Sequence, residues 1–234
     1  MSVPIVGRAQ GIPGQFQQPS GGAGRVVGWI LARFNSRLNR EAVDRLSPRP
    51  TDRVLEIGFG PGVALRRLSE RVHSGLVAGI DPSEVMNAQA EHRNRAAIRS
   101  GRMMLRVGTA ARLPWPDDSF DSVLSLNNVL LWQPLEGSLD EVRRVLRPGG
   151  LLLVGIHEWA AKGELRMGHG ALAKAEEVLA TERFPPRFTA IRTERVRVLG
   201  GRALLVYGRK PVKGEASAGS SSSAPDLHVA GPAA

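Results

Sequence analysis

From residue 52 to residue 210, short apolar runs alternate with stretches in which apolar residues recur every three or four positions. The runs predict strands over 53–57, 76–80, 102–107, 120–126, 149–156, 189–199 and 202–208. The amphipathic stretches predict helices over 62–72, 83–99, 134–146 and 168–182. Repeated strand–helix alternation implies an α/β fold, a doubly wound and mostly parallel sheet with helices on both faces. The last two apolar runs are joined only by Gly200-Gly201, which signals a hairpin.

The flanks read differently. Residues 1–23 are rich in Gly, Pro, Gln and Ser and are expected to be flexible. Residues 24–50 carry Val27, Ile30, Leu31, Phe34, Leu38, Val43 and Leu46 at helical spacing, with arginines on the other faces and Pro48 and Pro50 as a stop. This helix is expected to pack on the domain edge; its basic amphipathic pattern also suits a lid or a membrane-surface helix. Residues 51–210 form the main domain. After Lys210 the Ser, Gly, Ala and Pro of 211–234 lack apolar periodicity, so a disordered tail is expected.

The 234 residues suffice for one well-buried domain. No apolar run approaches the ~20 residues that span a bilayer, and the first residues lack a signal-peptide pattern, so a cytoplasmic protein is expected. There is no cysteine, which excludes disulfides, a thiol nucleophile, thiolate metal sites and iron–sulfur clusters. The formal charge of +10 invites acidic partners. The arginines are nonetheless scattered through every segment with few aromatics between them, which favours a solvated surface over a nucleic-acid footprint.

The chemistry concentrates in residues 54–63, Val-Leu-Glu-Ile-Gly-Phe-Gly-Pro-Gly-Val. A strand ends in Glu56, then in Gly58, Gly60 and Gly62, and an amphipathic helix follows at once. Glycines at this spacing let backbone approach a ligand closely at a helix N-terminus. A dinucleotide loop keeps a small residue at its sixth position, where this chain has Val63, and Glu56 would repel a pyrophosphate while suiting a cation. The second strand ends at Asp81, about 20 residues after the loop, a spacing that suits hydrogen bonds from ribose hydroxyls. Asp81-Pro82-Ser83 also reads as a helix start.

The E-x-G-x-G-x-G run resembles motif I of the class I S-adenosylmethionine-dependent methyltransferases, in particular the small-molecule, type 11-like members. Residues 107–121 look like the family stretch G-D-A-x-x-L-P-F-x-D-x-S-F-D, and 144–150 match R-V-L-R-P-G-G. The resemblance covers 52–156 and implies a seven-stranded sheet whose last strand is antiparallel. It implies S-adenosyl-L-methionine as cofactor, held by Glu56, Gly58, Gly60, Gly62 and Asp81. Met86 would lie against the adenine, Thr109 and Ala110 in the adenine-contacting turn, and Asn127 beside the methionyl part. Thr109 stands where the family has a carboxylate, and a hydroxyl can still accept one hydrogen bond.

Displacement at a methyl sulfonium needs alignment, exclusion of water and a proton acceptor only where the nucleophile carries a proton. His157 and Glu158, just after the fifth strand, are the candidate catalytic bases; a polar loop after a buried strand is the plainer reading. The chain lacks the N/D-P-P-Y/F of amino-group nucleic-acid methyltransferases, having Asn127-Asn128-Val129-Leu130 there. A small, partly apolar acceptor is expected. The alternatives are a catalytically silent binding module, and an enzyme whose acceptor is associated with RNA or a membrane. No metal-ligand spacing is present, and oligomeric state is not legible.

Overall fold

The computed structural model describes residues 35–212. The expectations for residues 1–34 and for the tail from 213 onward concern segments outside the described residues. Within them the chain forms α1 (Ser36–Leu46), β1 (Arg53–Ile57), α2 (Val63–Arg71), β2 (Leu76–Asp81), α3 (Glu84–Arg99) and β3 (Met103–Val107). There follow β4 (Phe120–Leu126), α4 (Leu135–Val145), β5 (Leu146–His157), α5 (Glu158–Glu164), α6 (Ala171–Glu176), β6 (Thr189–Val198) and β7 (Gly201–Arg209).

The strands make one seven-stranded sheet in the order β3-β2-β1-β4-β5-β7-β6. All pairings from β3 to β5 are parallel, and β7 runs antiparallel to both neighbours. This is the expected sheet with its antiparallel last strand.

The two-residue period of the strands divides the core. Leu55, Val123, Leu152 and Leu204 face one layer with α4, while Val54, Leu124, Leu153 and Leu205 face the other with α1 and α2. Both faces of the central strands are covered, which is why they read as continuous apolar runs rather than alternating ones. Glu56 shares its parity with Val54. It therefore points toward α2, where an apolar side chain would be the default.

Three local readings differ from the structure. Residues 157–167 do not form a plain connection, because α5 occupies most of them. The helix expected over 168–182 starts at Ala171, after Gly170 at φ 81°, and continues as a π-helix from Glu177 to Arg183. The strand expected over 149–156 begins earlier, at Leu146, and Arg147-Pro148-Gly149-Gly150 forms a bulge within it: Phe120 to Ser122 on β4 faces Leu146 to Leu151 on β5. A bulge accommodates proline because the unpaired residues need not donate to the ladder.

Arg144, near the end of α4, fixes the long loop between β3 and β4. Its guanidinium donates five hydrogen bonds: two to Glu141, one to Asp117 and one each to the carbonyls of Leu113 and Trp115, all between 2.7 and 2.9 Å. Glu141 in turn accepts from the Leu113 amide at 2.8 Å. The guanidinium beside it holds the Glu141 carboxyl below its ordinary range. Five donors in a planar fork are a set that an ammonium cannot reproduce. Arg144→Lys is expected to lower stability by roughly 1–3 kcal/mol, measured by urea denaturation. An unchanged midpoint would show that the fork does not hold the loop.

Candidate active site

The strand order reverses between β1 and β4. Their C-terminal ends therefore part and leave a crevice, the place where open α/β sheets bind ligands. The glycine loop leaves β1 into it and Asn127-Asn128 leave β4.

The loop's three glycines have φ of 69°, 51° and 75°, a region that L side chains rarely adopt. They do different work. A side chain at Gly58 would collide with the Asn128 amide, and one at Gly62 would come within 2.7 Å of Ala90 and of Asn94, where α2 meets α3. A Cβ at Gly60 would meet nothing within 4 Å among the described residues. Gly60 thus faces open space, as a backbone cradle for a ligand must.

Asp81 joins the ends of β1 and β2. One carboxylate oxygen accepts from the Gly60 amide at 2.9 Å and the other from the Ser83 amide at 2.9 Å. The helix cap is Ser83, whose hydroxyl accepts from Met86 N at 3.3 Å. Each Asp81 oxygen keeps lone-pair capacity beyond these amides. Burial raises its pKa, opposed by those same two amides.

Glu56 is 2% exposed, and its Oε2 has no hydrogen-bond partner among the described residues. Burial, and secondarily the nearby Asp81 charge, push its carboxyl well above the ordinary range, with the Leu65 amide pulling the other way. An unpartnered buried carboxylate is costly by itself and answers a positively charged ligand group.

The remaining expected residues lie around this centre. Met86 and Ala110 are buried, and Thr109 is exposed just beyond β3. Asn127, at φ 60°, accepts from the His157 amide at 2.7 Å and donates to Asn35 at the head of α1 at 3.1 Å. His157 is buried with both ring nitrogens engaged: Nδ1 accepts from Trp159 N at 3.2 Å and Nε2 meets the Leu199 carbonyl at 2.9 Å. That is the geometry of a cap on α5, and a base role would break one of these contacts. Glu158 pairs with Lys162 at 3.1 Å, which lowers its pKa and weakens it as a proton acceptor.

Two residues were not singled out from sequence for the roles they hold here. Asn128 braces the crevice: Nδ2 donates to the carbonyls of Ile57 (3.0 Å), Gly58 (3.3 Å) and Leu126 (2.9 Å). Its Oδ1 accepts from Ser125 Oγ at 2.9 Å and Trp132 Nε1 at 2.8 Å. Glu164, at the end of α5, lines a small cleft with Asn127, Asn128, Val129, Leu130, Ile156 and Ala160. The Asn-Asn pair after β4 was the signal for the first. Glu164 offered none, because α5 was not foreseen.

Residues 55–154 match the model of a methyltransferase domain family. Bacillus subtilis YdaC, an uncharacterized methyltransferase, is 31% identical over 125 residues, covering 53% of this chain and 67% of YdaC. The chain belongs to the class I S-adenosylmethionine-dependent methyltransferases. S-adenosylmethionine is the family's cofactor, and the open backbone at Gly60 and the orphan oxygen of Glu56 fit a ligand that carries cationic groups and no phosphate. The nocamycin O-methyltransferase of Saccharothrix syringae is 34% identical over 160 residues, 65% of this chain and 56% of that one. Among solved structures, a Haemonchus contortus phosphoethanolamine N-methyltransferase complexed with S-adenosyl-L-methionine superposes with a TM-score of 0.65 at 17% identity, covering 84% of this chain and 59% of the other. The chain spans from 33% to 67% of the length of the first three curated relatives it matches.

The buried carboxyl of Glu56 sets a stability prediction. Its folded pKa lies above its unfolded value, so folding takes up a proton, and the stability that this uptake contributes is lost as pH rises through the folded pKa. Glu56→Gln is expected to raise the ligand-free melting temperature at pH 8, by the equivalent of roughly 1–3 kcal/mol, with the gain shrinking as the pH approaches 4. A variant no more stable than the parent at pH 8 would refute the buried-charge cost.

Proposed function

We propose that the protein moves a methyl group from S-adenosylmethionine to a small, partly apolar acceptor that approaches beside Asn127, at the end of β4. The observation that carries this reading is the apolar character of the residues packed next to the glycine loop there. Val129, Leu130, Ile156 and Ala160 are the apolar residues, Asn127 and Glu164 supply two polar groups, and Asn128 joins them directly to the glycine loop. A site of mostly apolar walls with few polar groups selects by shape and orients by hydrogen bonds. The nocamycin relative, an O-methyltransferase by name, agrees with an acceptor of this kind.

In this reading Glu56 answers the ligand's positive charge, Gly60 leaves room for it, and Asp81 takes hydroxyl hydrogens on the lone pairs left by Gly60 and Ser83. S-adenosylmethionine supplies an electrophilic methyl group on a good leaving group. The protein aligns the acceptor atom with that methyl, keeps water out, and accepts a proton where the acceptor carries one. Glu164, which lines the space beside Asn127 and Ala160, is the carboxylate this reading assigns to that last task.

Calorimetric titration with S-adenosylmethionine, S-adenosylhomocysteine and NAD tests the cofactor site. Micromolar binding of the first two and none of NAD is expected. Because the Glu56 carboxyl is raised, binding a cation near that pKa drives its proton off. The apparent enthalpy is therefore expected to vary with the ionisation enthalpy of the buffer in the parent and much less in Glu56→Gln. Once an acceptor is found by screening, Glu164→Gln is expected to lower kcat by about 10²–10⁴ for a hydroxyl acceptor, with cofactor affinity unchanged. Unchanged kcat would remove Glu164 from the chemistry.

A further inference from the structure

Six large apolar side chains are conspicuously exposed among the described residues, and three of them, Trp159, Met167 and Leu199, belong to one region. Trp159 lies in the first turn of α5 and is 40% exposed; Met167 follows the end of that helix and is 38% exposed. Leu199, 53% exposed, stands with Gly200 in the two-residue turn between β6 and β7. A leucine at a hairpin tip runs against ordinary turn composition, where Gly, Asn, Asp and Ser dominate.

The region is built rather than accidental. Trp159 and Leu199 are 40 positions apart in sequence, yet one buried imidazole holds both: His157 takes the Trp159 amide on Nδ1 and contacts the Leu199 carbonyl through Nε2. The His157 and Trp159 rings also lie 5.9 Å apart, centre to centre. These contacts place the helix and the hairpin tip side by side at the C-terminal edge of the sheet, the edge that carries the crevice.

Basic residues surround the apolar ones. Arg197 and Arg202 sit directly opposite each other on β6 and β7, an arrangement in which like charges repel. Arg166, exposed and at φ 51°, follows the end of α5 and precedes Met167. Arg166 and Arg197, like many arginines of the described residues, are in no ion pair, so what distinguishes Arg197 is its place at the hairpin beside Leu199. Arg202 is within electrostatic reach of Glu158, but that carboxylate is paired with Lys162. Exposed indole and aliphatic groups beside the facing Arg197 and Arg202 match an anionic lipid interface, where the rings enter the headgroup layer and the guanidinium groups meet phosphates.

We propose that the tip formed by Trp159, Met167 and Leu199, with Arg166, Arg197 and Arg202, docks the protein on an anionic bilayer surface. Docking there turns the crevice toward the layer in which an amphiphilic acceptor partitions, a consequence that rests on the proposed acceptor class; the docking itself does not.

The test is sedimentation of the full chain with vesicles of phosphatidylcholine, alone and mixed with phosphatidylglycerol, without cofactor or acceptor, so that its outcome is separate from methyl transfer. Uptake on the mixed vesicles only is expected. Trp159→Ser with Leu199→Ser is expected to weaken it at least tenfold, and Arg197→Gln with Arg202→Gln by about fivefold for each arginine. Arg99→Gln with Arg106→Gln, which removes the same charge from the opposite edge of the sheet, serves as the reference and is expected to bind like the parent. All four of the tip positions are exposed, and retained melting temperatures confirm folded variants. No uptake on mixed vesicles overturns the proposal. So does an equal loss in the reference variant, which would mean general charge attraction, and so does a tip that binds RNA and leaves vesicles unbound.

Discussion

β1 and β4 are neighbours in the sheet, but the chain leaves them in opposite directions, and nothing in the backbone ladder holds their ends together beyond Ile57 and Leu126. Asn128 does so with one side-chain amide. Its nitrogen satisfies carbonyls on both strands, and its oxygen takes the Ser125 hydroxyl and the Trp132 indole. A primary amide is suited to this because it presents two donors and one strong acceptor in a plane. The glycine loop begins on one side of this brace and the apolar cleft on the other. Gly58 must lack a side chain because the Asn128 amide occupies that volume.

The site concentrates cost as well as chemistry. Two carboxylates, Glu56 and Asp81, are buried near each other, and the charge of one raises the other. Asp81 recovers much of its cost through two backbone amides, which also organise the loop. Glu56 does not, and stands with one oxygen unpartnered. An apolar side chain at that parity would suit the layer under α2 better. A residue that opposes the local packing rule beside a ligand crevice is where binding has been favoured over the stability of the empty protein.

Most of the fold was legible because the central strands are buried on both faces and the helices on one, so apolar runs and helical spacing separate cleanly. The glycine loop, Asp81 and the final hairpin were legible from local residue types. What escaped depended on long-range contacts or short elements. Seven residues, Glu-Trp-Ala-Ala-Lys-Gly-Glu, make two turns too small to show a period, so α5 and with it Glu164 went unseen. His157 invited a chemical role because imidazoles often have one. Its structural task appears only when Leu199, 42 positions away, is brought beside it. The start of β5 was placed three residues late because a bulge at Pro148-Gly149-Gly150 uses residues that usually lie outside strands.

The first described helix, α1, is tied to the far edge of the sheet. Near its C-terminal end Arg45 makes a forked contact with Glu194 on β6, at 2.7–2.9 Å, and a further bond to Glu41 at 2.6 Å. Arg45 and Glu194 are 149 positions apart. In folding terms this fork belongs with the long-range contacts, whose loop-closure cost must be met before they reward the chain, so the helix that borders the crevice gains its anchor only when the last hairpin is in place.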